Sequence, residues 1–527
     1  MGTAATHHAS SARVVRNDWS TVAAPDLDGW RPTLTVSVIV PAYQCQPTLD
    51  LTLASLAHQS YPADLLEVIV VDDGSEPPLR LPEIRPERTK IIRIGGSGGW
   101  GRANALHTGV THSSGKVLHW LDADMVAFPE HVAAQVRWHH VLPYAVTLGY
   151  KRFVDPERHG PWPPPTAVAE RWGQGHAADL FGGSPGEPHT YVERYIAQTD
   201  QLRAADHLAF RIHVGATAAL RRELYEAAGG LDTQLRLGED TELGYRLAQA
   251  GAVFVPEPRA RSWHLGRTHV MQAQDQVSRY NRPFLADRIP YPRHWRTAGG
   301  PSWSVPFVEV VVTVGDEPLE RVRATVDSVL RGTERDVRVN LVGPWDRLDG
   351  ARVPVLTDPL LEPRLIAATY RGEPQVRFVT ESPESAFPAP YLLELPVSCG
   401  LAPDALRRLV EHADRHQVGV VHVHAGQRAM GVVLWRTAAL GRARWVRSER
   451  ESLLDAVNSV YGRRDADANE IGIHTEHWGA PARTRRRHPT LSTVEVEGVR
   501  SLARAAVVVA RLSVRRAVVW WRRTSRR

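Results

Sequence analysis

The feature that most constrains the fold is an alternation of strand-like and helix-like segments between residues 35 and 124. Thr35 to Val40 is an apolar, β-branched run, and Leu49, Leu53 and Leu56 then follow at the spacing of one helix face. Further strand-like runs are Glu67 to Val71, Ile91 to Ile94 and Val117 to Leu121, and Asn104 to His112 is helix-like. Strands that alternate with helices in this way form an open, mostly parallel α/β sheet.

Polar residues stand where these predicted strands end. Pro41, Asp73 and Asp122 each lie at or just beyond the carboxyl end of a strand-like run. Open α/β sheets bind their ligands beyond the carboxyl ends of the strands. We therefore expect these three residues to converge on one crevice.

Several motifs follow one another in a fixed order along the first half of the chain. They are Val40-Pro41-Ala42-Tyr43, Val71-Asp72-Asp73-Gly74-Ser75, Asp122-Ala123-Asp124, Gly238-Glu239-Asp240 and His264. This ordered set resembles the family 2 glycosyltransferases of the GT-A fold, over roughly residues 34–270. The resemblance implies a Rossmann-like open sheet and an inverting, metal-dependent transfer of a sugar from a nucleotide-diphosphate donor, a UDP-sugar, to an acceptor hydroxyl. It also implies a role in cell-surface polysaccharide or glycoconjugate synthesis.

The Asp-Ala-Asp motif is the predicted metal site. Side chains alternate along a strand, so Asp122 and Asp124 point the same way from the strand end. Carboxylate oxygens suit Mn²⁺ or Mg²⁺, which can bridge the oxygens of a diphosphate. The resemblance implies that Asp124 binds the metal, that Asp122 lies beside it on the ribose side, and that His264 completes the site in some relatives. A turn or helix cap is the structural alternative for such a motif.

The upstream motifs are predicted to hold the nucleotide. The resemblance implies that Asp73 accepts a hydrogen bond from the nucleobase, usually uracil, and a carboxylate can accept from a ring N–H. Pro41, Ala42 and Tyr43 would line the base, and Arg102 would face the nucleotide. The alternatives are a plain turn at Asp73, simple packing for Tyr43 and a solvated helix start for Arg102.

The acidic pair Glu239-Asp240 is the predicted catalytic motif. An inverting displacement at an anomeric carbon needs a carboxylate within hydrogen-bond reach of the incoming hydroxyl. The resemblance implies that Asp240 is this base and that Glu239 holds the acceptor. The alternative is an acidic cap at the start of the following helix, which the helix dipole favours.

A second hypothesis comes from Gly96-Ser97-Gly98-Gly99-Trp100-Gly101, which fits the G-x-G-x-x-G pattern of dinucleotide-binding enzymes. It follows a strand, precedes a helix, and Asp122 stands about 20 residues further on, so an NAD(P)-dependent oxidoreductase is an alternative. That interpretation leaves Asp124 and the two upstream motifs without a role. A third hypothesis is a non-catalytic component that assembles or binds sugar polymers.

The second half of the chain reads as a degenerate copy of the first. Its strand-like and helix-like segments recur in the same order, but Gly343-Pro344 stands in place of the two aspartates and Leu392 to Pro396 ends without acids. Ser448-Glu449-Arg450 is matched to residues 238–240, and His477-Trp478 to Trp263-His264. We predict a flexible arm (1–31), a catalytic GT-A domain (32–300), a degenerate GT-A-like domain (301–482) and a basic tail (483–527).

Two segments of the first half carry further predictions. Residues 155–188 are rich in proline and glycine and lack periodicity, which is typical of a lid or binding loop. The acceptor would enter beneath this loop. Residues Ala216 to Ala228 are predicted to form a helix that is closed by Gly229-Gly230.

The net charge of +6 comes from the end of the chain. Residues 500–527 hold nine arginines and no acid, and six of the arginines share one helical face opposite valines and leucines. A basic amphipathic helix that ends in Trp520-Trp521 is typical of an interfacial membrane anchor. The alternatives are docking on the acidic body, disorder and nucleic-acid binding, and no nucleic-acid partner is expected.

Composition narrows the remaining classes. Two cysteines, Cys45 and Cys399, exclude a disulfide scaffold or a Cys-rich zinc module. The first 30 residues show no secretory signal, and no apolar stretch is long enough to span a membrane. We therefore expect a cytoplasmic protein, peripheral on the inner face of the membrane, with a glycan, lipid-linked or other hydroxyl acceptor. The oligomeric state stays open.

Overall fold

Two open sheets, one in each half of the chain, carry most of the buried core. The computed structural model describes residues 12–95, 99–296, 303–348 and 353–475. The predictions for His477-Trp478 and for the basic tail lie outside these residues, as does part of the glycine-rich loop at 96–98. No helix in the described ranges is both long and apolar enough to cross a membrane.

The first sheet contains nine strands among the described residues, in the order β3-β2-β1-β4-β8-β6-β9-β5, with β7 paired to β6. The strands are β1 (Val36–Ala42), β2 (Leu66–Asp72), β3 (Thr89–Arg93), β4 (Val117–Leu121), β5 (Met125–Ala127), β6 (Ala145–Val154), β7 (Glu187–Pro188), β8 (Thr217–Arg221) and β9 (Val253–Leu265). The helices are α1 (Gln46–Leu56), α2 (Arg102–Thr111), α3 (His131–Val141), α4 (Pro156–His159), α5 (Pro165–Gly173), α6 (Thr190–Gln198), α7 (Arg222–Ala227), α8 (Glu239–Gln249), α9 (His269–Gln272) and α10 (Gln274–Arg288).

The central parallel strands are buried along their whole length. Every residue of β2 and β4 is buried, and β1 is buried at six of its seven positions. Parallel strands that are covered on both faces are continuous apolar runs in sequence. These strands could therefore be predicted from the apolar runs alone. The predicted α/β class is confirmed.

Two predictions for the first half are wrong. Ala216 to Ala228 is helical only from Arg222, because Thr217–Arg221 instead form β8, which pairs antiparallel with both β4 and β6 in the middle of the sheet. The segment 155–188 is not an open loop. It contains α4 and α5, and Trp172 of α5 is buried and donates to the Ala127 carbonyl at 3.0 Å.

The second sheet repeats the strand order of the first, as β12-β11-β10-β13-β16-β15-β17. Its strands are β10 (Val308–Thr313), β11 (Val337–Val342), β12 (Val376–Val379), β13 (Tyr391–Glu394), β15 (Val420–Ala425), β16 (Arg428–Arg436) and β17 (Arg463–Asp467), with a separate pair β14 (Cys399–Leu401) and β18 (Ile473–Thr475). Its helices are α11 (Leu319–Leu330), α12 (Leu361–Tyr370), α13 (Ala405–His416), α14 (Thr437–Val446), α15 (Leu453–Tyr461) and α16 (Ala468–Ile471). Each pairing is parallel or antiparallel as in the first sheet.

Strand register aligns the two copies residue by residue. Val36 pairs with Leu66 and Val117, as Val308 pairs with Val337 and Tyr391. Counting along the equivalent strands matches Asp72 and Asp73 to Gly343 and Pro344, and Asp122 and Asp124 to Pro396 and Ser398. The predicted second, degenerate copy is therefore present.

Two of the predicted matches need correction. Ser448-Glu449-Arg450 lies before α15, whose first turn begins at Leu453, whereas Glu239 is the first residue of the equivalent α8. The antiparallel pairs Met125–His264 and Cys399–Thr475 match His264 to Thr475 and not to His477. Sequence order alone does not give these two matches, because the loops before them differ in length between the two halves.

The two halves share one packed seam. Arg442 of α14 is fully buried and donates hydrogen bonds to the carbonyls of Gly251, Ala252, Val14 and Arg16. The described residues of both halves belong to one compact unit.

The segment that begins at residue 12 belongs to this seam, so the prediction of a flexible arm is wrong from that residue onward. Val14 is buried, and the Asn17 amide donates to the carbonyls of Leu202 and Phe254 at 2.9 and 3.0 Å. The polar composition of residues 1–31 suggested a loose arm. In the described part of this segment, Asn17 and Trp19 instead donate to backbone carbonyls of the body.

Candidate active site

The carboxyl ends of the central strands bring the predicted residues together. Asp73 follows β2 and Asp122 follows β4, while Glu239 and Asp240 begin α8 and His264 lies near the end of β9. Arg102, the first residue of α2, reaches across this edge of the sheet. Two of the three residues expected to converge are thereby linked, since Gly101 N donates to Asp73 and the neighbouring Arg102 donates to Asp122.

Arg102 joins the two acidic motifs. Its Nε and Nη2 donate to Asp122 Oδ1 at 3.0 and 2.8 Å, and its Nη1 donates to Glu239 Oε1 at 2.6 Å. Burial alone would lower the pKa of Arg102, but these carboxylates outweigh it and raise the pKa above its ordinary value. A side chain at Gly215 would place its Cβ 2.7 Å from the guanidinium. The backbone is thus built closely around this ion pair.

Asp73 and Asp72 have different environments at the nucleotide end. Both oxygens of Asp72 accept from turn amides, Ser75 N at 2.9 Å and Leu79 N at 3.1 Å. Asp73 Oδ2 accepts from Gly101 N at 2.7 Å, while its buried Oδ1 has no partner among the described residues. The turn interpretation therefore accounts for Asp72 and leaves Asp73 an oxygen for a ligand.

Exposed aromatic rings flank this end of the crevice. Tyr43 is 57% exposed and Trp100 is 63% exposed. The guanidinium of Arg236 lies 4.6 Å from the centre of the Trp100 ring. Ala42, by contrast, is buried and its carbonyl accepts from Asp73 N at 2.9 Å. Tyr43 is thus available to a base, and Ala42 shapes the backbone beneath it.

Asp124 and His264 form the part of the site that suits a metal ion. His264 Nε2 lies 3.8 Å from Asp124 Oδ1, and this buried oxygen has no hydrogen-bond partner in the described part of the chain. Burial, with help from Asp122, raises the pKa of Asp124 to about 7. Burial lowers the pKa of His264 to about 3, so its ring is neutral. An unpartnered carboxylate facing a neutral imidazole fits the donor set of a divalent cation.

Asp122, the other predicted ligand, is held by Arg102. Within the described ranges, no group of three His, Cys, Asp or Glu side chains lies close enough to form a complete metal site. Asp124 and His264 would therefore share an ion with oxygens of the substrate. Cations bound through one or two side chains and substrate phosphates are common.

Asp240 is the accessible member of the acidic pair. It is partly exposed, whereas Glu239 is only 5% exposed. Asp240 Oδ2 accepts from Gly215 N at 3.3 Å, and its Oδ1 accepts from Thr241 N at 2.7 Å in the first turn of α8. Its carbonyl lies 2.7 Å from His213 Nδ1. Glu239 is buried against Arg102, and its carboxylate is engaged by the guanidinium at 2.6 Å.

The sequence analysis missed several residues of the site. Lys151 on β6 is 4% exposed, and burial lowers its pKa to about 8 although Asp122, Asp240 and Asp124 act to raise it. Arg236 and Trp100 were also missed. Lys151 and Arg236 belong to no motif, and Trp100 was noted only as part of the glycine-rich loop at 96–101. The one available signal was that the chain contains only three lysines, at positions 90, 116 and 151.

Two family models match this part of the chain. One described as Glycosyl transferase family 2 matches residues 37–228. A second, described as Glycosyl transferase family 21, matches residues 191–291. Together they include every residue of the predicted site.

Named proteins with similar sequences are also glycosyltransferases. Validoxylamine A glucosyltransferase of Streptomyces hygroscopicus subsp. limoneus is 28% identical over 249 residues, which are 46% of this chain and 54% of that protein. Chondroitin synthase of Escherichia coli is 24% identical over 360 residues, 66% of this chain and 50% of that protein. The chain thus spans about half the length of these curated relatives.

Among solved structures, a mannosyltransferase from Pyrobaculum calidifontis in complex with GDP-Man and Mn²⁺ is similar with a TM-score of 0.31 and 21% identity. The match covers 50% of this chain and 66% of that chain.

Proposed function

Residues 37–228 of this chain belong to glycosyl transferase family 2, and from this premise we propose an inverting, metal-dependent glycosyltransferase of the GT-A fold. The donor is a nucleotide-diphosphate sugar. We infer that its nucleotide is UDP because Asp73 resembles the family residue that usually accepts a hydrogen bond from uracil. The acceptor is a hydroxyl of a cell-surface polysaccharide, a lipid-linked glycan or another glycoconjugate. The alternative oxidoreductase is not supported, because Gly101 N donates to Asp73 and Asp122 is engaged by Arg102.

The observation that carries the proposal is the ion-pair bridge from Asp122 through Arg102 to Glu239. Asp122 stands on the donor side, and Glu239 is next to the proposed base Asp240. The bridge therefore fixes the two reacting ends of the site relative to each other. Holding two reactants in a fixed geometry supplies a large share of the rate enhancement in group transfer.

The chemistry then assigns a role to each residue. Asp73 Oδ1 accepts from the nucleobase, Tyr43 and Pro41 line it, and Asp122 contacts the ribose. Mn²⁺ or Mg²⁺, held by Asp124 and His264, would supply positive charge against the diphosphate. The acceptor oxygen bonds to the anomeric carbon as the bond from that carbon to the phosphate oxygen breaks. Asp240 takes the hydroxyl proton, and the nucleoside diphosphate leaves with the electron pair.

Replacing the base tests this assignment. Asp240→Asn keeps the size of the side chain and an oxygen that can accept from Thr241 N, so we expect transfer to fall by about 10²- to 10⁴-fold while UDP binding with Mn²⁺ is retained. A thermal-shift panel of UDP, GDP and dTDP with Mn²⁺ identifies the nucleotide first. Asp275→Asn, which changes an exposed first-turn acid of α10, is the matched control. Wild-type turnover of Asp240→Asn would remove Asp240 as the base.

We also propose, from the sequence alone, that residues 500–527 attach the protein to anionic membranes on the cytoplasmic side. Each arginine near an anionic leaflet contributes roughly 1 kcal/mol. Ending the chain at residue 499 should abolish flotation with vesicles of phosphatidylglycerol and phosphatidylcholine, and leave transfer to a soluble acceptor unchanged. Unchanged flotation would contradict the proposed attachment.

A further inference from the structure

A lysine stands at the metal end of the crevice. Lys151 and Phe153 lie two residues apart on β6, so their side chains share one face of the sheet. The ammonium of Lys151 lies 5.9 Å from the centre of the Phe153 ring, and that ring lies 4.8 Å from the ring of His264. His264 in turn faces Asp124. Lys151 thus adjoins the pair that fits a metal ion.

Lys151 is buried without a direct hydrogen-bond or ion-pair partner among the described residues, although the carboxylates of Asp122, Asp124 and Asp240 act on its charge from further away. It is 4% exposed, and the structure gives its ammonium no hydrogen bond and no ion pair to any residue that it describes. The other buried cations of the seam and site are paired, since Arg102 binds two carboxylates and Arg442 binds four carbonyls. Burying an unpaired charge costs several kcal/mol. An unpaired ammonium in a substrate crevice therefore indicates a partner that the substrate supplies.

The order of the site residues along the sheet edge indicates which part of the substrate Lys151 contacts. Asp73 lies at the base end and Asp122 at the ribose position, and Asp124 with His264 comes next along the sheet edge. Lys151 lies on the strand that pairs with the His264 strand. We propose that Lys151 donates hydrogen bonds to the distal phosphate of the donor, which is the leaving group. This inference rests on the proposed function.

The role is catalytic because charge develops at that phosphate. As the bond from the anomeric carbon to the phosphate oxygen breaks, its electron pair passes to that oxygen. An ammonium already aimed at the oxygen stabilises the new charge without reorganising. The same oxyanion chemistry could come from a carboxylate on the transferred sugar, and the experiment below separates the two sources.

The test compares uridine, UMP and UDP as ligands by calorimetry with Mn²⁺ present. Lys151→Met should weaken UDP binding by about 10- to 100-fold, because a charge-assisted hydrogen bond is lost, and leave uridine binding unchanged. Lys151→Arg should recover part of the affinity. Lys90→Met, at an exposed position of the same sheet, is the matched control. Should the wild type prefer GDP, the guanosine series replaces the uridine series.

Three outcomes would overturn the inference. Equal weakening of uridine and UDP would make Lys151 a structural residue. Unchanged UDP affinity would show that Lys151 does not contact the phosphate. Unchanged UDP affinity combined with weaker binding of UDP-glucuronate, but not of UDP-glucose, would assign Lys151 to a sugar carboxylate. If the wild type binds no nucleotide with Mn²⁺, the proposed function fails first, so the two failures are distinguishable.

A second measurement uses the unmodified protein in case the methionine variant does not fold. The chain has three lysines, so labelling with lysine enriched in ¹³C at Cε gives three signals that single Lys→Arg variants assign. The Lys151 signal should move when UDP is added and stay in place with uridine. A Lys151 signal that does not move when UDP is added would contradict the contact between Lys151 and the phosphate.

Discussion

The two halves of the molecule have the same strand order and the same strand directions, yet only one retains the acids. Asp73, Asp122 and Asp124 correspond in register to Pro344, Pro396 and Ser398. The apolar strands that build the sheet are preserved in both copies. The comparison shows that the buried pattern alone maintains this architecture, and that the strand-end residues can change without altering it.

The difference extends into the core beneath the site. In the first half the Gln135 amide lies 3.2 Å from His119 Nε2 and 3.1 Å from His131 Nε2, and Thr147 donates to Gln135 Oε1. Thr217 on β8 joins the same network. The five equivalent residues of the second half are all buried and apolar: Leu393, Ala405, Leu409, Val421 and Val432.

A shared feature supports this match of helices. Arg221 at the end of β8 donates to the His139 carbonyl in the last turn of α3. Arg436 at the end of β16 donates to the Ala413 carbonyl in the last turn of α13. The arginine that ties strand to helix is therefore present in both copies. What separates the copies is the polar network, which lies behind the strand ends that carry Asp122.

The largest expected effect concerns whether the halves fold together. Arg442→Met would leave the buried carbonyls of Gly251, Ala252 and Val14 without a donor, and we expect a loss of about 3–5 kcal/mol in the free energy of unfolding. Urea denaturation followed by circular dichroism measures it. Arg444→Met is the control on the same helix as Arg442. It removes an exposed ion pair to Glu384 and should change stability by less than about 0.5 kcal/mol.

The urea denaturation curve of the wild-type protein is a second test of whether the two halves fold together. Because the seam is buried and continuous, residues 12–475 should unfold in one transition. Two separated transitions, one for each sheet, would show that the copies remain independent domains despite Arg442.

The next effect concerns catalysis at equivalent positions. Asp124→Ala should lower transfer by about 100-fold or more, because it removes a carboxylate ligand of the proposed metal, and it should abolish the stabilisation of UDP binding by Mn²⁺. Ser398→Ala changes the equivalent residue of the second half and should leave transfer unchanged. Comparable losses in both variants would mean that the second half also takes part in catalysis.

Much of this arrangement could be predicted from the sequence, because strand ends are marked by polar residues after apolar runs. The positions of Asp73, Asp122, Asp124 and Asp240 follow from that rule together with the family resemblance. The bridging role of Arg102 could not be predicted, because it depends on contacts across 137 residues.

Other features left no local signal. Thr217–Arg221 has a composition that suits a helix as well as a strand, and its place between β4 and β6 decides the outcome. Gln135 and the histidines around it look like ordinary helix and strand residues in sequence. Only the packing brings them together, so the buried network could not be predicted.

A third prediction transfers the core of the second half into the first. Gln135→Leu alone should cost about 1–3 kcal/mol in unfolding free energy, because it leaves the buried His119 Nε2 without the Gln135 amide, while His131 Nε2 keeps the Thr217 hydroxyl at 2.9 Å. The triple change His119→Leu, His131→Ala and Gln135→Leu copies the residues of the second half. It should lower the free energy of unfolding by less than the sum of the three single changes. Strict additivity would show that the three residues do not act as one network.

The smallest effect is a pH dependence that distinguishes the two cores. Burial lowers the pKa of His119 to about 3 and of His131 to about 4, below the unfolded value of 6.5. The unfolded chain therefore binds more protons below pH 6.5, so stability is full above that value and falls as the pH decreases toward 4. Between pH 7 and pH 6 the two histidines together should remove about 1 kcal/mol. Urea midpoints measured across this range for the wild type and the triple variant give the difference directly. An equally steep decline in the triple variant would assign the acid sensitivity to other histidines of the first half, such as His139, and would separate it from the network that distinguishes the copies.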